Sequence, residues 1–130
     1  QKKYEGMVEE EKEMKSEMFL QIEFCKWLDK NRVLYCASAG GMRVNIRTAV
    51  NMKRAGYKKG YPDIGIFEPR SYHGLFIELK AGKGTVSSEQ RTWQEALTKN
   101  GYKSLIMPGN LDFTAALQWL QREVKNYLSP

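Results

Sequence analysis

Between Glu13 and Lys30 apolar positions recur at helical spacing, and stepping about 100° per residue gathers Met18, Leu20, Ile22, Phe24, Cys25, Trp27 and Leu28 on one broad arc. Glu23, Lys26 and Lys30 fall on the opposite side, whereas Glu17 and Gln21 project into the middle of the apolar arc. The preceding VEEEKE reads as a solvated helical extension or a mobile tail. RVLYCAS is short and rich in β-formers, so it predicts a strand, and the AGG after it a flexible loop. NIRTAVNMKRAG predicts a basic helix stopped by Gly56. DIGIF and HGLFIELK predict two strands joined across EPRSY. SSEQRTWQEALTKNG carries Ser87 and Gln90 at capping-box spacing, with Gly101 as its stop. YKSLIM is a further strand, and DFTAALQWLQREVKNYL a closing amphipathic helix.

The order is helix, strand, helix, two strands, helix, strand, helix. Such alternation predicts an α/β fold in which a mixed sheet is covered by helices on both faces. The last strand follows its predecessor through a helix, which makes those two parallel and the crossover right-handed. A chain of 130 residues with 42% hydrophobic content fits one domain over 1–130, with 1–12 as a charged extension. No apolar stretch reaches the roughly 18–20 residues that span a bilayer, and the first twenty residues are crowded with Lys and Glu. A soluble, cytoplasmic protein without membrane partners is expected. Cys25 and Cys36 form no CxxC and have no His nearby, so neither a zinc site nor a disulfide framework is indicated, and both are expected to fill the core.

Charge changes the picture. From Lys30 to Pro62 there is no Asp or Glu, yet Lys30, Arg32, Arg43, Arg47, Lys53, Arg54, Lys58 and Lys59 all lie there. The rest of the chain is slightly acidic, so the whole excess behind the net charge of +6 sits in one segment. A segment of this kind suits a polyanion. A solvated basic face without a partner is the plainer alternative.

Two apolar runs end on charge where strands seldom carry it. Asp63 opens one predicted strand, and Glu78 and Lys80 close the next. Side chains alternate along a strand, so Glu78 and Lys80 share a face, and Asp63 reaches the same patch if its strand pairs there. Burying two carboxylates and an ammonium together costs several kcal/mol per ion unless something compensates. A hard divalent cation compensates, since Mg²⁺ favours carboxylate oxygens, keeps waters and completes its shell with phosphate. It would also stabilise charge on a scissile phosphate and acidify a water that Lys80 orients. The competing explanation is an ordinary salt bridge at an exposed strand end, with Asp63 merely following a turn proline.

GYPDIGIF with HGLFIELK resembles the PD-(D/E)xK nuclease superfamily, and the wider pattern is similar to its VRR-NUC family in the stand-alone, phage-type form. The wider pattern comprises SEMFLQ, SAGG, AVNMKRAGYKKGYPD, LFIELKAGKGTVSSEQRTW and NGYKSLIM, from about residue 16 to 128. The resemblance implies a restriction-endonuclease-like core. It implies Asp63 and Glu78 as metal carboxylates, with the backbone carbonyl of Leu79 as a further ligand and Lys80 as the catalytic lysine. Gln90 matches a family glutamine that helps order water and phosphate, though it is equally the capping partner of Ser87. Glu17 matches the first-helix glutamate, and the helical arc independently separates it from Glu23; a helix-start acid is the alternative. The loop before Gly40 often carries an Asn in such sequences and here reads SAGG, so no specific polar contact is assigned to it. Lys83, Ser87 and Arg91 are positioned to touch phosphate, as exposed residues near any helix start are. His73 is expected at the surface rather than as a ligand, and Trp93 and Trp119 as packing residues.

The implied function is a Mg²⁺- or Mn²⁺-dependent DNA endonuclease, giving 5′-phosphate and 3′-hydroxyl products. Arg43, Arg47, Lys53, Arg54, Lys58 and Lys59 would grip backbone phosphates, which supplies affinity and little sequence information. Stand-alone members of the family resemble Holliday-junction resolvases, and paired nicks across a four-way junction need two active sites, which a homodimer supplies. A dimeric enzyme selective for branched DNA is therefore expected. The competing readings are a nucleic-acid-binding module that keeps the fold but cuts nothing, and a small basic adaptor with a fortuitous motif. Against the first stands a chemically competent residue at every expected catalytic position.

Overall fold

A computed structural model of the chain describes residues 6, 8–38, 45–80 and 84–130. These divide into two compact units, one of Gln1–Val33, Leu79–Thr85 and Ile106–Pro130, the other of Leu34–Glu78 and Val86–Leu105.

In the first unit, helix α1 (Glu9–Lys30) buries Leu20, Phe24 and Leu28, the i, i+4, i+8 stripe of the predicted arc. Met18 and Ile22, expected on that arc, are instead 54% and 42% exposed. The buried stripe is narrower than the arc and centred near Glu17, Phe24 and Leu28, which leaves Met18 and Ile22 beyond its edge. Phe24 stacks on Trp27 with ring centroids 6.2 Å apart, and the chain leaves the helix through a bond from the Val33 N–H to the Leu28 carbonyl. Helix α4 (Phe113–Leu128) begins with Asp112 accepting from the Ala115 N–H, and packs on α1. Its buried positions Ala116, Leu120, Val124 and Tyr127 repeat at helical spacing. Removing a fully buried ring such as Phe24 by truncation to Ala would cost about 3–5 kcal/mol.

The second unit is built on a four-stranded sheet in the order β1 (Tyr35–Ala37), β2 (Ile64–Ile66), β3 (Leu75–Glu78), β4 (Lys103–Ile106). The β1–β2 and β2–β3 pairs are antiparallel. The sheet is mixed, with β4 as the parallel member, as the helical crossover predicts. Ile64, Ile66, Leu75 and Ile77 are fully buried on one face, while Gly65 and Phe76, opposite one another in register, occupy the other.

Helix α2 (Ile46–Arg54) is capped by Asn45, whose side chain accepts from the Thr48 N–H at 2.8 Å. Gly56 takes a φ of +101°, a left-handed value that stops the helix where the sequence suggests. Helix α3 (Ser88–Lys99) starts from a complete capping box between Ser87 and Gln90.

The two cysteines do not fill the core. Cys25 is half-buried, and Cys36 is exposed on β1, a three-residue strand at one end of the described sheet, where no neighbouring strand covers it. No helix among the described residues is long and apolar enough to cross a membrane.

Candidate active site

The register of β2 against β3 pairs Ile64 with Ile77, so one further step along the ladder sets Asp63 opposite Glu78. Directly opposed residues of an antiparallel pair point to the same face with Cβ atoms about 5 Å apart. The acid that opens β2 and the acid that ends β3 therefore meet at one end of the central pair, on the face shared with Gly65 and Phe76. Glu78 is 7% exposed and Asp63 half-buried. Gln90 reaches Glu78 from the first turn of α3, its Nε2 donating to Glu78 Oε2 at 3.1 Å.

The approach of α3 is set by the turn before Asp63. Gly60 has a φ of +86°, and a Cβ there would lie 2.6 Å from the Glu89 carbonyl carbon and 2.8 Å from the Gln90 nitrogen. Only a residue without a side chain lets this turn rest on the first turn of α3. Pro62 is buried behind it, and Tyr61 packs edge-on against Trp93 and Phe76 at 4.9 and 6.1 Å. Burial raises the Tyr61 phenol above its ordinary pKa, with Cys36 adding to the shift, so Tyr61 is a neutral hydroxyl. Trp93 is thus a packing residue of this unit, half-buried rather than sealed. Glu89 lies at the exposed start of α3; its own backbone N–H, and then Lys59 at 3.9 Å, hold its carboxyl below the usual range.

Three expected site residues, Asp63, Glu78 and Gln90, are brought together here. Ser87 stands beside them as the cap, its Oγ accepting from the Gln90 N–H at 3.1 Å. Lys80 and Glu17 belong to the first unit. Lys80 is 9% exposed, two positions after Glu78, and its Nζ donates to the Thr85 carbonyl at 3.0 Å. Glu17 is half-buried in line with Phe24 and Leu28 on α1. Leu79 is fully buried. Arg47, Lys53, Arg54, Lys58 and Lys59 are all exposed, and no residue of α2 is buried. Arg43 and Lys83 lie outside the described residues, as do Gly40 and most of its loop. His73 is exposed and sits edge-on to Tyr102.

Among the described residues no group of three or more His, Cys, Asp or Glu side chains could hold a metal. The Asp63 and Glu78 pair offers two. Two carboxylates completed by a carbonyl, waters and phosphate form a donor set that suits magnesium, and would not suit zinc, which takes nitrogen and sulfur ligands in closed sites.

Two residues of this region escape sequence reasoning. Gly60 could have been suspected from its place one residue before a strand-opening Tyr-Pro-Asp, since close approach of backbone is what glycine permits. Ser38 carries no local signal; its N–H donates to the Asp63 carbonyl at 2.8 Å, and its Oγ is buried and meets no hydrogen-bond partner among the described residues.

A mixed α/β sheet that opposes two carboxylates on neighbouring strands, in a chain with an acid-free basic helix, defines a protein built to bring charge chemistry to a polyanion. Comparison with known proteins makes the class specific: the VRR-NUC domain matches residues 1–110, and the chain belongs to that family of nuclease-type domains acting on nucleic acid. Among solved structures, one described as a VRR_NUC domain protein is similar over 85% of this chain and 88% of its own, with 26% identity and a TM-score of 0.66. No curated protein matches the chain.

Proposed function

We propose that this protein is a metal-dependent DNA endonuclease that selects branched substrates such as four-way junctions and acts as a homodimer. The observation that carries the catalytic part is the opposition of Asp63 and Glu78 on adjacent strands, with Gln90 donating to Glu78. Asp63, Glu78 and the Leu79 carbonyl would hold Mg²⁺ or Mn²⁺. When bound, such an ion supplies Lewis acidity toward the scissile phosphate and its attacking water.

The protein's own residues do the rest. Gln90 fixes the Glu78 carboxylate in one orientation, since its amide is held at both ends. The Lys80 ammonium, which donates to the Thr85 carbonyl, would orient water or phosphate. Lys80 and Glu17 enter this assignment on the likeness of the sequence to the family rather than on a distance to Asp63. Arg47, Lys53, Arg54, Lys58 and Lys59 supply the sequence-independent grip on the DNA backbone. Selectivity for branched DNA and the two-fold assembly rest on the need for two nicks placed symmetrically across a junction.

The test is cleavage of labelled four-way junction, flap and linear duplex DNA with Mg²⁺ or Mn²⁺, beside the Lys80→Ala protein. Paired symmetric nicks that need both metal and Lys80 are expected. Salt-sensitive binding without cleavage under any divalent ion would replace the enzyme with a binding module.

A further inference from the structure

The β1–β2 ladder continues one step past Ala37 and Ile64, where the Ser38 N–H donates to the Asp63 carbonyl at 2.8 Å. Asp63 in turn stands opposite Glu78, so Ser38, Asp63 and Glu78 form one row across three strands. Residues opposed in this way point to the same face of the sheet. Ser38 Oγ is buried, and among the described residues it meets no hydrogen-bond partner. Buried hydroxyls are almost always satisfied, and one that is not destabilises the fold that carries it.

The place of this hydroxyl indicates what would satisfy it. Its neighbour in the row is the Asp63 carboxylate, which when ionised only accepts hydrogen bonds, with Glu78 one strand further on. Gln90 Nε2 already donates to Glu78. Ser38 is therefore a neutral donor beside Asp63, on the face of the sheet where the phosphate would be bound. We propose that Ser38 is a substrate-contacting residue of this site, its hydroxyl donating to a non-bridging oxygen of the phosphodiester bound over Asp63 and Glu78. This deepens the nuclease reading and depends on it for the identity of the ligand. An alanine in the same place would be more stable and less useful, which makes stability and function move in opposite directions.

Ser38→Ala and Ser38→Thr separate the possibilities, measured by thermal melting, by DNA affinity in calcium, and by single-turnover cleavage in manganese. Ser38→Ala is expected to melt at or above the wild-type temperature. It should bind DNA about tenfold more weakly and cut on the order of 10- to 100-fold more slowly, as for the loss of one donor to an oxyanion. Ser38→Thr keeps the hydroxyl and should recover most of both losses. Wild-type affinity and rate in Ser38→Ala overturn the proposal, as does a lower melting temperature that Thr does not repair, which would mark a structural hydroxyl. Should the wild-type protein cut no DNA, the nuclease reading fails by itself, and the calcium affinities still decide: a weakened Ser38→Ala supports a phosphate contact, and an unchanged one sinks it.

Discussion

Gln90 donates through Nε2 to Glu78 Oε2 at 3.1 Å while its Oε1 accepts the Ser87 N–H at 3.0 Å, so one amide both caps α3 and braces the site. The two roles fix its orientation, because the Ser87 N–H needs an acceptor and the carboxylate needs a donor. Gln90→Ala should therefore lose about 1 kcal/mol of stability from the broken cap and slow cleavage roughly tenfold from the freed carboxylate. Gln90→Glu keeps the acceptor for Ser87 but sets a second carboxylate against Glu78. It should melt below Gln90→Ala at neutral pH, and the gap should close as pH falls through the carboxylate range, where one of the two acids takes a proton. Melting curves at about pH 7 and about pH 4.5 check this; a gap that persists in acid would mean that the two carboxylates do not face one another.

Asp63 and Glu78 oppose like charges on adjacent strands, an arrangement that is destabilising by itself. In EDTA, Asp63→Asn is accordingly expected to melt a few degrees above the wild type. Manganese should raise the wild-type melting temperature and leave the variant unmoved, while cleavage by the variant drops by at least about a hundredfold. Equal metal-induced shifts in both proteins would place the cation elsewhere.

Lys80→Met tests the buried ammonium. The stem length is kept, so packing should survive, while the ammonium and its bond to the Thr85 carbonyl are removed. Cleavage should disappear while DNA binding in calcium stays within about twofold, since one buried charge adds little to a grip spread over many phosphates. Loss of binding in parallel with cleavage would make Lys80 a phosphate anchor rather than a catalytic group.

Gly60 is where the turn before Asp63 meets α3 most closely, and its left-handed φ adds to the constraint. Gly60→Ala should cost about 2 kcal/mol or more, because the turn must both strain and back away from Glu89 and Gln90. Since that turn leads directly into Asp63, cleavage should fall further than the loss of folded protein explains, which kinetic assays at a temperature where both proteins are folded will show.

The order of elements was legible in the sequence because its signals are local. Apolar spacing marks α1 and α4, Ser87 with Gln90 marks the start of α3, and Gly56 the end of α2. The carboxylates were legible for the same reason: acids at the ends of apolar strands contradict the pattern around them. What the sequence did not show depends on register and neighbours. Whether Met18 and Ile22 belong to the buried stripe turns on which face α1 presents to its partners, and the arc alone was wider than the stripe. The exposure of Cys36 follows from β1 standing at one end of the described sheet, and the row through Ser38 from a strand pairing that no local motif encodes.

Helix α2 allows binding to be varied apart from folding. None of its residues is buried, Ile46 and Val50 are 84% and 52% exposed, and Arg47 and Arg54 lie in a stretch without a carboxylate anywhere from residue 30 to 62. Surface substitutions away from caps and core change stability by less than about 0.5 kcal/mol, so Arg47→Gln and Arg54→Gln should melt with the wild type. Removing one cation that neutralises a phosphate should lower the slope of log affinity against log salt by about one. Affinity should fall alike for junction, flap and duplex, because phosphates carry no sequence or branch information. Titrations of the three DNAs at several salt concentrations will measure both quantities. A drop confined to the junction would show that α2 reads the branch rather than the backbone, and an unchanged slope would remove these arginines from the DNA interface altogether.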